Sequence, residues 1–121
     1  MNIQSQNKIY DTIVIGAGIS GLSAAYHLKK HSPKADFLVL EGRDNFGGTW
    51  DFFKYPGIRS DSDMHTLGFS FKPWNSRKFI ADGPGVMDCL EGTRQVKNHK
   101  ELRIFNMHIE SASWDSGDAV W

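Results

Sequence analysis

The chain is short of cysteine, carries no excess charge of either sign and has no long apolar run. Its single cysteine, Cys89, excludes an internal disulfide, and no disulfide partner is expected. A lone thiol fits a reducing compartment, so the expected location is cytoplasmic. Lys plus Arg and Asp plus Glu number 14 each, for a net charge of +0. That balance provides no electrostatic ground for a nucleic-acid partner, and membrane association is not indicated either. No segment approaches the roughly 20 apolar residues that a spanning helix needs, and the opening MNIQSQNKIY lacks the apolar core of a signal peptide. What remains, at 121 residues and 40% hydrophobic content, suffices for one globular domain with a core.

The chain is organised around Asp11 to Gly21, DTIVIGAGISG. Thr12 to Ile15 suit a strand buried on both faces, inside a first strand expected over 9–15. Gly16, Gly18 and Gly21 then follow in the spacing G-x-G-x-x-G. The first permits a tight turn, the second close approach of backbone to a diphosphate, and the third close helix–sheet packing. A helix is expected from Ile19 or Ser20 to His31, with Leu22, Ala25, Tyr26 and Leu28 on the sheet side. Its free N–H groups would face the phosphates, and Pro33 ends it. A second strand, Phe37 to Leu40, completes a βαβ unit and ends at Glu41. A carboxylate at this offset from the glycine turn accepts hydrogen bonds from ribose hydroxyls and repels a 2′-phosphate, favouring FAD or NAD over NADP. By itself it could also be a solvated strand end.

Residues 42–63, GRDNFGGTWDFFKYPGIRSDSD, show no sustained period and are expected as a long loop. Long ordered loops are usually functional. Within it Gly48, Thr49 and Trp50 offer close backbone approach, a hydroxyl and a flat apolar surface, which suit a cofactor ring or a satellite core. Pro73 keeps Phe69 to Trp74 from being a central strand. A second helix is expected over 84–96, with Val86 and Leu90 inward and Gly92 weakening it by up to about 1 kcal/mol. Strands are expected over 102–109 and 111–114, then a turn at 116–118 and another strand from Ala119 to form a hairpin. Cys89 has no conspicuous basic neighbour in the sequence and is expected to be inert. His27 and His31, four apart, are expected as an exposed pair, not metal ligands. Trp74, Trp114 and Trp121 are expected in the core.

Taken together, GAGISG, Glu41, GGTW and YPGIRSDSDM with TLGF and Pro73-Trp74 resemble the N-terminal region of flavin-dependent monooxygenases of the Baeyer–Villiger type. The similarity is strongest to the subgroup that contains the ethionamide-activating monooxygenase. The resemblance implies an α/β, Rossmann-like FAD-binding domain, of which residues 1–121 are the N-terminal part of a longer enzyme with two dinucleotide domains. It implies that Gly16, Gly18, Ser20 and Gly21 hold the FAD diphosphate and Glu41 the adenosine ribose. Gly48, Thr49 and Trp50 lie along the flavin, and Ile109 gives a backbone contact to adenine. Asp61 is the implied catalytic acid between flavin and nicotinamide, with Arg59 and Ser60 beside the latter; its spacing alone favours a cap or turn acid. The implied cofactors are FAD and NADPH, the latter bound mostly outside this chain. The implied reaction inserts one oxygen atom of dioxygen into a small-molecule ketone or sulfur substrate by way of a peroxyflavin. Lys97-Asn98-His99 departs from the family pattern. Other readings are another two-domain FAD oxidoreductase, such as an amine oxidase or disulfide-reductase relative, and an inactive nucleotide-binding fragment.

Overall fold

The computed structural model describes residues 8–95 and 103–121. Val96, the Lys97-Asn98-His99 run and Leu102 lie outside the described residues. Three parallel strands form the sheet in the order β1 (Thr12–Ile15), β2 (Phe37–Leu40), β3 (Arg103–Ile104). The register pairs Thr12 with Phe37 through Ile15 with Leu40, then Val39 with Arg103 and Leu40 with Ile104. This is the Rossmann-like α/β arrangement, with the crossover helix α1 at Ile19–His31.

Central position decides which strand is fully buried. All four residues of β2 are buried, because β1 and β3 flank it. The expectation of a strand buried on both faces does not hold for β1. It lies at the sheet edge, and Ile13 and Ile15 are 50% and 63% exposed. β1 is also shorter than 9–15, although Asp11 N donates to Asp36 O at 2.9 Å just ahead of it. From the other face, Leu22 and Ala25 of α1 enter the core beside Val39 and Phe37. Burying a side chain the size of Leu22, Phe37 or Val39 contributes about 1.5–3 kcal/mol.

The expected loop 42–63 contains a one-turn helix, α2 (Thr49–Phe52), and a second single turn, α3 (Met64–Leu67), follows it. Neither is long enough to leave a periodic pattern. Asp63 caps α3, its carboxylate accepting from Thr66 N and Thr66 Oγ1 at 2.9 Å each. Phe69 and Phe71 close the loop onto α1, with Phe71 stacked on Tyr26 at 3.6 Å. The second long helix, α4, runs Gly83–Gln95 with Val86 and Leu90 buried, as its pattern implied.

The C-terminal expectation is corrected most. β3 spans two residues, and the 105–114 stretch is irregular instead of strand. The hairpin reduces to one antiparallel bridge between Asp115 and Val120 around the turn. Trp114 and Trp121 are 50% and 81% exposed, not core, and meet edge-to-face at 5.5 Å. Trp50 and Trp74 do pack against the core.

Candidate cofactor site

The glycine turn meets a second glycine turn. Gly16 has a φ of +97°, a conformation open to glycine, and its N–H donates to Leu40 O at 2.7 Å. A Cβ on Gly21 would collide with the Gly16 carbonyl oxygen, so the packing role expected for Gly21 is literal. Across the cleft Gly47 and Gly48 have φ of +116° and +53°. Gly47 N donates to Ala17 O at 2.9 Å, and a Cβ on Gly48 would come within 3.0 Å of Gly18 Cα. The turns approach so closely because Gly48 has no side chain there, whereas a Cβ on Gly18 would make only an ordinary contact with Gly48.

Between them lies a cavity of about 280 Å³, lined by Gly16, Gly18, Ser20, Gly21, Gly48, Thr49 and Trp50. Seven of the expected site residues are thus brought together. The cavity opens at the start of α1, where Gly18 is the N-cap and no side chain caps the helix. The first N–H groups of a helix have no partner within it, so they remain free for an anion. A larger open groove of about 550 Å³ shares Ile19 and Ser20 with this cavity and runs to Leu67, Phe69 and Phe71.

Glu41 adjoins the cavity through the backbone. Its carboxylate is 7% exposed; Oε2 accepts from Ala17 N at 2.7 Å and Oε1 from Arg43 N at 2.9 Å. It is therefore fixed against the glycine turn and is not a solvated strand end. Each oxygen retains acceptor capacity for a hydroxyl. Met107 N and Asn106 N donate to Glu41 O and Arg43 O, so the chain that carries half-buried Ile109 leaves from this side.

Arg59, Ser60 and Asp61 do not line the cavity. They sit on a strap joined to the entry of α4: Ser60 N donates to Ala81 O at 2.8 Å, Gly83 N to Ile58 O at 3.0 Å, and Arg59 bridges Asp82. Ser60 is 2% exposed, and its hydroxyl accepts from Ala81 N at 3.2 Å. Its side chain therefore fastens the strap, while Arg59 and Asp61 are exposed on either side of it.

Sequence reasoning missed Asp51. Its carboxylate, 4% exposed, accepts from Arg43 Nη2 and Asn45 Nδ2 at 2.9 Å each and lies 3.4 Å from Lys54 Nζ. Burial favours its neutral form, but the Asn45 hydrogen bond, the Lys54 charge and the Arg43 guanidinium outweigh that and hold it below the usual carboxylate range. An acid amid the aromatics of Thr49 to Phe53 was the available signal. Cys89 also differs from expectation in having a basic neighbour, since Lys72 Nζ donates to Cys89 O at 2.9 Å. Burial still pushes the thiol up, against the Lys72 charge, so it stays protonated near neutrality. His27 and His31 stack on each other at 5.6 Å on the exposed face of α1. No group of residues suited to a metal ion occurs among the described residues. No helix among them is long and apolar enough to cross a membrane.

Residues 14–81 match the model of a family described as NAD(P)-binding Rossmann-like domain. Over 113 residues the chain is 49% identical to an FAD-containing monooxygenase, EthA, of Mycolicibacterium smegmatis, covering 93% of this chain and 23% of that protein. It is 46% identical over 114 residues to a probable FAD-binding monooxygenase, AlmA, of an Acinetobacter species, covering 94% and 23%. Among solved structures it resembles an oxidised steroid monooxygenase bound to NADP, with a TM-score of 0.81 and 28% identity over 89% of this chain and 21% of that one. The chain thus spans about a quarter of the length of the relatives it matches.

Proposed function

Because the chain belongs to the NAD(P)-binding Rossmann-like domain family, we propose that residues 1–121 are the FAD-binding N-terminal part of an NADPH-dependent flavoprotein monooxygenase. The observation that carries this reading is the pair of facing glycine turns at the uncapped start of α1. They leave a cleft that a Cβ on Gly48 would narrow and that an extended diphosphate fits. The similarity to FAD-containing monooxygenases over nearly the whole chain selects FAD among dinucleotides.

In this reading the backbone N–H groups of Ile19, Ser20 and Gly21 bind the diphosphate, helped by the exposed Ser20 hydroxyl. Glu41, already held by Ala17 and Arg43, would accept the adenosine ribose hydroxyls, and the Ile109 backbone would contact the adenine. Thr49 and Trp50 orient the flavin end of the cofactor. Asp61 biases the charge where flavin and nicotinamide meet, with Arg59 drawing in the anionic NADPH. FAD when bound supplies the electron transfer and dioxygen activation, and the protein orients and excludes water. A small ketone or sulfur compound is the proposed substrate, with oxygen insertion the proposed reaction. The single thiol, Cys89, suits a cytoplasmic setting.

The test is to purify the full-length protein and follow its flavin absorbance. Wild type is expected to be yellow and to bleach with NADPH. Asp61→Ala is expected to stay yellow yet bleach or turn over at least about tenfold more slowly. Colourless wild-type protein would remove the flavin reading, and an Asp61→Ala variant with unchanged rates would remove the role of Asp61.

A further inference from the structure

The cleft is braced from behind by a chain of polar contacts that touches none of the cavity's lining side chains. It begins at Asp51, one residue after Trp50. A carboxylate buried this deeply is costly to keep unless it is paired and fully hydrogen-bonded. Both close donors, Arg43 and Asn45, come from the segment that leaves β2, ahead of Gly47. Asp51 therefore ties the start of the loop to the short helix beyond the glycine pair.

The chain continues through Arg43, whose backbone N–H donates to Glu41 Oε1 at 2.9 Å while Glu41 Oε2 accepts from Ala17 N. Arg43 also lies over the Phe52 ring at 4.8 Å, which holds its guanidinium against α2. Asp51 N donates to Gly48 O at 3.2 Å, and the Asp51 Cβ stands within 3.0 Å of where a Gly47 Cβ would be. One network thus joins α2, the second glycine turn, the ribose-facing carboxylate and the first glycine turn. Well-packed apolar residues would stabilise such a position equally well or better. What the contacts add is direction, because Arg43 Nη2 and Asn45 Nδ2 each reach a different oxygen of Asp51 and so fix its orientation.

We propose that Asp51 is a positioning residue of the cofactor site. With Arg43 and Asn45 it sets α2 so that Gly48, Thr49 and Trp50 stand at the right distance from Gly16 to Gly21. This rests on the reading of the cleft as an FAD site. Asp51 is not itself on the cavity, so it acts through the residues before it.

The experiment uses the full-length protein with Asp51→Asn, which keeps shape and removes charge, and Arg43→Lys, which keeps charge and removes the planar guanidinium. Three quantities are read: the FAD dissociation constant by flavin fluorescence, the visible circular dichroism of bound flavin, and the thermal midpoint of the apoprotein. Asp51→Asn is expected to weaken FAD binding about tenfold, the scale of one charge-assisted hydrogen bond. It is also expected to change the dichroism, and Arg43→Lys should do the same to a smaller degree. A fall in thermal midpoint with unchanged FAD affinity and dichroism would show a merely structural role and overturn the inference. Should Asp51→Asn fail to fold, Arg43→Lys decides by the same two flavin readouts. Wild type that takes up no FAD would overturn the flavin reading and this inference with it. FAD binding equal in wild type and variants would overturn this inference alone.

Discussion

Glu41 and Asp51 are both buried carboxylates beside the cleft, and each is held by donors from backbone or side chain. The partners of Asp51 decide how it responds to pH. Asp51 is held by side chains, so its charged form is favoured in the folded protein relative to the ordinary value of 3.8. A folded-state value below the unfolded one adds stability that is complete above the unfolded value and is lost as pH falls through the folded one. Asp51→Asn lacks this titration. The stability gap between wild type and Asp51→Asn, measured by urea unfolding, is therefore expected to be widest near neutrality and to narrow as pH falls from about 5 towards 2. A gap independent of pH over that range would show that the Arg43, Asn45 and Lys54 contacts do not favour the charged form. Asp63 moves in the same direction through its bonds to Thr66, but the comparison cancels it because both proteins retain it.

Among the elements, α4 shows how a local rule is overruled by a neighbour. Gly92 in a helix interior costs up to about 1 kcal/mol relative to alanine, so Gly92→Ala would be expected to stabilise. In the fold, however, the Lys72 ammonium lies against Gly92 and donates to Cys89 O, where a Cβ at position 92 would collide with it. Gly92→Ala alone is expected to change stability by less than about 0.5 kcal/mol, because the helix gain is offset by displacing Lys72. In a Lys72→Ala background the same change is expected to gain about 1 kcal/mol. Equal effects in both backgrounds, measured by thermal unfolding, would show that Lys72 is not the reason for the glycine. The helix α4 and its inward face were legible, since Val86 and Leu90 carry its period, whereas α2 and α3 are single turns with no period to carry.

At the scale of the whole molecule, the sheet is covered unequally. Leu22 and Ala25 pack from one side, whereas Ile13 and Ile15 point outward from the edge strand. Parallel sheets are ordinarily buried on both faces, and an open apolar edge invites association. The 121-residue chain on its own is therefore expected to bind a hydrophobic dye such as ANS and to self-associate. Ile13→Thr with Ile15→Thr should reduce both, Thr being comparably suited to a strand. A monomeric, dye-silent wild-type chain would contradict the exposure of this face.

From the sequence alone came the βαβ unit, the glycine turn with Gly16, Gly18 and Gly21, and the family resemblance. Local steric demands write these into single residues: φ above zero at Gly16, and no room for a Cβ at Gly21. Only the tertiary structure decided which strand is buried, that Glu41 is clamped rather than solvated, and that Ser60 fastens a strap instead of facing the cleft. It alone brought Asp51, Arg43 and Asn45 together behind Trp50. Burial and pairing of charges depend on what the rest of the chain brings alongside, and residues without a period or a steric demand of their own carry no trace of it.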